Sequence, residues 1–290
     1  MLFAPLLVLA ACAADDGTGP VANVPAQGRF LDGAVEGLRY SAGSLTGFTG
    51  ADGTFFYEKG STVAFRIGGV EIGHAPATFI MTPIDLVGHG LDEGDSVVTN
   101  IVRFLVTLDD DGDSFSNAIT IPESIHRRAE GESLNFDQSI AAFENDPAVQ
   151  RIVTELTSVT TAGVRDLVPV SLAQVHLQLT LRTILSGTYH GTYYADVAGG
   201  IGPALGTWRI VVFSFGSQLR ITGLVTEADG TEVEFLGIAE TDGSFEAPLF
   251  GIMTLFGQIE ISDEGDAFIV NGTWLGPADG TTGTFSGGRL

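Results

Sequence analysis

Four carboxylates fall within five positions, at Asp109, Asp110, Asp111 and Asp113, with only Gly112 between them. They end the apolar run of "LVTLDDDGDSFSNAITIP", Leu105 to Pro122. Asp109, Asp111 and Asp113 stand at alternate positions, as the first three ligands of a calcium loop do. Phe115 offers a backbone carbonyl, and Asn117 falls at the ninth position of such a loop. An EF-hand would place Gly sixth and a bidentate Glu twelfth; Ser114 and Thr120 stand there instead. A looser D-x-D-x-D loop needs neither, and Glu123 could complete it. Crowded carboxylates repel one another, and a helix C-terminus ahead of them adds partial negative charge. A divalent cation removes both penalties. A wet turn, screened by salt within about 10 Å, also tolerates them. Two readings stay open: a structural Ca²⁺ site on Asp109, Asp111, Asp113 and Asn117, or a solvated turn.

Other chemistry is sparse. The histidines (His74, His89, His126, His176 and His190) are dispersed, with no H-E-x-x-H pattern and no pair at i, i+4. His176 beside an apolar helix stripe reads as a packed or hydrogen-bonded side chain. Cys12 is the sole cysteine, which excludes an internal disulfide and a Cys-His zinc site. There is no G-x-S-x-G elbow and no phosphate-binding glycine loop. Carboxylate pairs for glycoside hydrolysis can be drawn anywhere among 36 acidic residues, so no pair is singled out. No catalytic residue is assigned, and the chain reads as non-enzymatic.

The elements that would position these residues follow from periodicity. "SVVTNIVRFLVTLD" sets Val97, Ile101, Phe104, Leu105 and Leu108 on one helical face, with Asp95 or Ser96 as N-cap. Pro122 to Ala129 can open a second helix. "DPAVQRIVTELTSV" forms a third, with Asp146 as N-cap and Pro147 at N1. "SLAQVHLQLTLRTIL" forms a last one, with Leu172, Val175, Leu179 and Arg182 or Thr183 on successive turns. Flanking this helical segment the pattern has period two. Before it, short strands break at Asp52-Gly53 and Lys59-Gly60. After it come about eight alternating runs with tight turns at Asp229-Gly230, Asp242-Gly243, Glu264-Gly265 and Asp279-Gly280. A beat of Gly-Thr-aromatic recurs at Tyr189, Tyr193, Trp208, Trp274 and Phe285. Such a meander closes into a small barrel or folds into a sandwich, since open edges invite aggregation. The aromatics either fill its interior, the favoured reading, or form a platform for sugar rings. The strands are too irregular and too acidic at their ends for a transmembrane barrel.

The formal charge is -23 over 290 residues, which repels nucleic acid. The chain opens with an apolar run, Leu2 to Ala11, too short to span a bilayer but of signal-peptide length. Leu9-Ala10-Ala11-Cys12 resembles the lipobox of bacterial lipoproteins. That resemblance implies cleavage before Cys12, lipid on its thiol, and an outer-membrane anchor, because Ala13 rather than Asp follows. Two or more acyl chains make such an anchor stable.

Gly47 to Tyr57, "GFTGADGTFFY", resembles the G-x-T-x-x-G-x-F turn of carboxypeptidase-regulatory-like, prealbumin-type β-sandwich modules. These are non-catalytic modules of secreted and surface proteins. Asn100, Arg103, Phe104, Leu105, Leu108, Asp109, Asp111, Gly112 and Asp113 make a pattern similar to one in uncharacterised surface lipoproteins of environmental proteobacteria. That resemblance implies location and architecture and brings no activity.

The expected chain is mainly β with a helical middle segment, an α+β arrangement. A signal peptide covers 1–11, and the lipidated Cys12 and a tether cover 12–27. A β-sandwich-like module spans 28–94, a helical segment with the Asp-rich loop 95–185, and an antiparallel β barrel or sandwich 186–290. The expected function is lipid-anchored binding or scaffolding in the cell envelope, facing the periplasm or the cell surface. Its partners are the membrane through the lipid, and an envelope protein or glycan. Two alternatives accompany it: a lipocalin-like carrier of a small apolar ligand in the C-terminal domain, and an envelope glycan hydrolase.

Overall fold

The computed structural model describes residues 24–88, 92–114, 116, 118–197, 200–249, 253–276 and 280–290. Cys12, the signal segment, most of the tether and Asn117 lie outside the described residues.

Eight short strands open the chain: β1 (Ala26–Phe30), β2 (Ala34–Glu36), β3 (Arg39–Ala42), β4 (Leu45–Phe48), β5 (Thr54–Tyr57), β6 (Thr62–Ile67), β7 (Val70–Pro76) and β8 (Ile80–Met81). One sheet has the order β5-β1-β8 and a second the order β4-β3-β6-β7. Alternation decides what faces inward. On β5, Phe55 and Tyr57 are buried while Phe56 between them is exposed. Gly53 takes φ +80° in the turn before β5, where an L side chain is strained. The two sheets meet through aromatic rings. Phe65 of the second sheet stands 4.6 Å from Phe30 and 5.3 Å from Phe55 of the first, centroid to centroid.

The helical segment follows: α1 (Ser96–Thr107), the short strand β9 (Ala118–Thr120), α2 (Glu123–Arg128), α3 (Ile140–Asn145), α4 (Pro147–Thr157) and α5 (Val170–Leu185). Asp95 caps α1 by accepting from the amides of Val97 and Val98 at 2.8 and 3.2 Å. Asp146 caps α4, with Pro147 in its first turn. β9 pairs in parallel with β2. Sheets and helices share one hydrophobic core, running from Phe30 to Leu181.

On α5 the stripe differs from the periodicity reading. Val175 and Leu179 are exposed, and Ala173, His176, Leu177, Thr180, Leu181 and Leu185 are buried. The helix is apolar on nearly every side, so hydropathy does not choose a face. Tertiary partners do, and they select the side bearing His176.

The C-terminal part is a closed antiparallel barrel of eight strands: β10 (Gly187–Val197), β11 (Gly200–Phe215), β12 (Gln218–Glu227), β13 (Glu232–Ala239), β14 (Ser244–Leu249), β15 (Met253–Ile261), β16 (Ala267–Leu275) and β17 (Thr282–Arg289). Each strand pairs with its successor, and β10 closes on β17. A barrel of eight strands has an interior just wide enough for side chains. Tyr189, Tyr193, Trp208, Phe235, Phe245, Trp274 and Phe285 occupy it, all buried.

The Gly-Thr-aromatic beat now has a mechanical meaning. In each unit Gly and the aromatic point inward and Thr points outward. Three of the beat's five rings then lie over a glycine of a neighbouring strand, as do Phe235 and Phe245, whereas Tyr189 faces Ile210 and Phe285 faces Tyr193. Trp208 opposes Gly191, Tyr193 opposes Gly206, Phe235 opposes Gly223, Phe245 opposes Gly257 and Trp274 opposes Gly283. A Cβ at Gly223 would stand 2.2 Å from the Phe235 ring. These rings fit because their glycine partners have no side chain. Each buried ring removes ~150–250 Å² from water, roughly 4–6 kcal/mol as an upper bound.

Gly223→Ala is expected to destabilise the barrel by about 1–3 kcal/mol through overpacking. Thr222→Ala, one residue away on the outer face, is expected to stay within ~0.5 kcal/mol. Urea unfolding followed by tryptophan fluorescence checks both, since Trp208 and Trp274 are the only tryptophans and both lie in the barrel.

Candidate functional site

The aspartate turn begins where α1 ends, at the negative end of its dipole. Its first answer to that charge is a cation from far along the chain. Arg165 donates Nε to the Thr107 carbonyl at 2.8 Å and Nη2 to the Asp109 carbonyl. Its Nη1 reaches Thr160 Oγ1 at 2.8 Å and the Gly163 carbonyl at 3.0 Å. Arg165 thus caps the helix end and sits beside three of the aspartates. Nothing local in sequence marks it, because the contact spans more than fifty residues.

The carboxylates have separate duties. Asp109 is buried and accepts the Thr120 amide at 2.7 Å, which joins the turn to β9. Asp110 accepts the amide and hydroxyl of Thr161 at 3.0 and 2.6 Å. Asp111 accepts the Asp113 amide at 2.8 Å, closing a local turn over Gly112, which has φ +70°. The side chains of Asp109 and Asp111 also share a hydrogen bond. Burial first, then the bond and charge of Asp111, push Asp109 up to about 6. Backbone and side-chain hydrogen bonds hold Asp111 below the ordinary carboxylate range. The two acids are thus coupled, and Asp109 takes up a proton more readily than an ordinary carboxyl does. Among the described residues no group of three or more His, Cys, Asp or Glu side chains converges on one point. Asn117 lies outside those residues.

The polar members of the α1 pattern act as pins. Asn100 is fully buried and donates to the carbonyls of Phe136 and Gln138 at 3.1 and 3.0 Å. Arg103, 2% exposed, donates to the Val168 carbonyl at 2.8 Å and pairs with Glu144 at 3.3 Å. Both hold loops onto the helix.

Behind the aspartate turn lies a buried pair that the sequence reading caught only by half. His176 Nδ1 is 2.9 Å from Asp32 Oδ1, and Nε2 is 3.1 Å from the Ser116 carbonyl. Both ring nitrogens face acceptors, so a proton is held between His176 and Asp32. Neither nitrogen is left over to serve a nucleophile. Burial pushes the Asp32 carboxyl up, against the opposing bond and charge of His176. Burial alone would lower His176, but the bond and charge of Asp32 and the Ser116 carbonyl carry it upward. Asp32 Oδ2 is buried and unpartnered. Asp32 sits between β1 and β2 with no local motif around it, which is why sequence did not flag it.

Two clefts flank the junction between the two cores. One, of ≈400 Å³, includes Asp85, Asp242 and Asp263 in its lining. Asp85 Oδ2 is engaged by the amide and hydroxyl of Thr82 at 2.6 and 2.9 Å. The other, of ≈320 Å³, includes Arg29 and Arg289. A third and larger groove, ≈740 Å³, lies on the barrel's outer wall over β13 and β14. There, among the described residues, Ile238↔Glu246 and Ala239↔Phe245 pair, and Pro248 brings no amide to the ladder. Leu236, Ile238, Pro248 and Phe256 are among its lining, with Arg220 beside them.

No protein-family model matches the chain, and no curated protein matches it. Among solved structures, a de novo designed fluorescence-activating β-barrel matches at 14% identity, over 38% of this chain and 96% of its own, with a TM-score of 0.28. No helix among the described residues is long and apolar enough to cross a membrane.

The raised histidine sets a sign for pH dependence. The folded state holds a proton that the unfolded chain releases, so the pair's contribution is complete below the ordinary imidazole value and is lost as pH rises through the higher folded one. In Asp32→Asn the burial of His176 dominates, and stability is expected to rise with pH across that range. Urea unfolding of both proteins between pH 5.5 and 9, taken as a difference (roughly four pH steps suffice), checks the reversal. His176→Leu strands a buried carboxylate and is expected to cost about 3–5 kcal/mol.

Proposed function

We propose that this chain is a non-catalytic binding or scaffolding protein of the bacterial cell envelope. Lipid at Cys12 anchors it to the outer membrane, and its partner is an envelope protein or glycan. The observation that carries the binding reading is the barrel's outer wall. Leu236, Ile238, Pro248 and Phe256 line one groove there, between Arg220 and Glu246, and Phe213 and Leu275 are exposed on strands outside it, in a strongly acidic chain. Contiguous apolar surface of this kind marks interaction sites. The wall is also where ligand contact costs least, since the interior is occupied by side chains.

Calcium fits this reading as a structural ion. The close approach of Asp109 and Asp111 supports it, because a divalent ion beside them would relieve both the burial of Asp109 and the repulsion. A second reading, a carrier of a small apolar ligand in the C-terminal domain, has its own support. The weak pairing of β13 and β14 opens a groove with an apolar floor, ≈740 Å³ in volume. The ligand would then lie along the wall.

Calcium is expected to raise the melting temperature of the wild type but not of Asp111→Asn/Asp113→Asn. An equal response of both proteins would remove the ion from the account. Leu236→Ser/Phe256→Ser, with unchanged circular dichroism, is expected to lose about tenfold or more in retention by purified envelope fractions, since paired apolar anchors contribute ~1–3 kcal/mol. The same variant separates the second reading: loss of saturable laurate binding with retention intact would favour the carrier.

A further inference from the structure

We infer that the ≈320 Å³ cleft between β1, the last turns of α5 and β17 binds a small organic anion, with a carboxylate or phosphate head and a short apolar body. The inference does not depend on where in the cell the protein resides.

Charge is the first observation. The chain has 36 acidic and 13 basic residues, and after Ser186 the only basic ones are Arg209, Arg220 and Arg289. Yet Arg29 and Arg289 converge on this cleft, and none of its lining residues is acidic. The cleft on the other flank of the same junction has the opposite character, with Asp85, Asp242 and Asp263 and no basic residue. Arg289 has no carboxylate within ion-pair distance among the described residues, and Arg29 has Asp52 only at the 4.0 Å limit of that distance. An anion in a cleft lined by two arginines and no acid is attracted by the guanidinium groups that face it.

Orientation is the second. Arg29 is steered by its Nε bond to the Asp52 carbonyl, 2.9 Å. The Asp52 carboxylate is 4.0 Å from that Nε and already accepts from the amide and hydroxyl of Thr54. The Arg29 Nη groups therefore have no hydrogen-bond partner among the described residues. Arg289 is steered by its Nη1 bond to the Ile184 carbonyl, 2.9 Å, which ties β17 to the end of α5. Arg289 is held also by the side chain of Tyr189, and Arg29 also by the charge of Asp52, so little side-chain entropy remains to be lost on binding. A planar fork of this kind recognises carboxylate or phosphate oxygens in pairs.

The remaining lining sets the rest of the ligand. Leu31, Phe79, Ile80 and Ile184 supply apolar surface. The hydroxyls add no donor, because Thr180 donates to the His176 carbonyl and Thr183 to the Leu179 carbonyl. A bare inorganic ion would leave that apolar surface unused. Because Arg29 belongs to the first core and Arg289 to the barrel, a bound anion would also tie the two together.

The test uses benzoate and phenyl phosphate, with acetate and inorganic phosphate as headgroups alone and sodium chloride at matched ionic strength. Melting temperature and calorimetric heat are read on the purified chain. Saturable binding of benzoate or phenyl phosphate, tighter than that of the bare headgroup, is expected, and the preferred arm tells carboxylate from phosphate. Thr183→Glu places a carboxylate in the cleft from an exposed helical position, without touching either arginine's anchor. It should fold as the wild type does and bind about tenfold or more weakly, the effect of losing one charge-assisted contact. Arg29→Gln should weaken binding in the same way. Heat or a melting shift no larger than the chloride control gives would overturn the inference, and so would undiminished binding by Thr183→Glu.

Discussion

Everything in this structure hangs on one helix that serves two cores. The buried stripe of α5 enters the first core at Ala173, Leu177 and Leu181, and its last turn ends in the second at Leu185. The stripe is held in register by the bond from His176 to Asp32, which fixes the helix against the β1–β2 connection. Breaking such a pair leaves a buried charge behind, so the rotation of α5 is strongly specified. Its far end docks on one end of the barrel. Tyr189 donates to the Leu185 carbonyl at 2.7 Å, and Arg182 to the Ser217 carbonyl at 2.6 Å. The other turns at this end dock as well. Phe79 donates its amide to the Asp263 carbonyl and packs its ring against Gly265, and Thr241 reaches Glu93.

The barrel solves a packing problem that eight strands impose. Its interior takes many large rings because several of them, Tyr193, Trp208, Phe235, Phe245 and Trp274, each have a glycine on one neighbouring strand. With the interior occupied by side chains, contact with other molecules falls to the outer wall, to the turns and to the clefts beside α5. The aspartate turn belongs to the same frame. It is tied to β9 through Thr120, to Thr161 through Asp110, and to Arg165 through the helix end. An ion there would reinforce an existing joint.

What sequence made legible is what local physics decides. The caps of α1 and α4, the inward pair Phe55 and Tyr57, the glycine turns and the eight-strand meander all rest on neighbours a few residues apart. The choice between barrel and sandwich did not, because closure is a property of β10 meeting β17. The buried face of α5 was missed for a related reason. An apolar helix has no preferred side until Asp32, more than a hundred residues away, supplies a partner. Arg165 and the two cleft arginines were invisible on the same grounds. Each is an unremarkable residue in its own segment and acquires meaning only from a distant one.

The central claim is that α5 makes the two cores one cooperative unit. The five helices among the described residues lie before the barrel, and both tryptophans lie within it, so two signals report on two halves. Thermal unfolding should be followed in one sample by helical circular dichroism and by tryptophan fluorescence. The account predicts coincident transitions in the wild type and separated ones in His176→Leu, with the helical signal melting first. Transitions already separate in the wild type would contradict it, because the helix would then join the cores without coupling them.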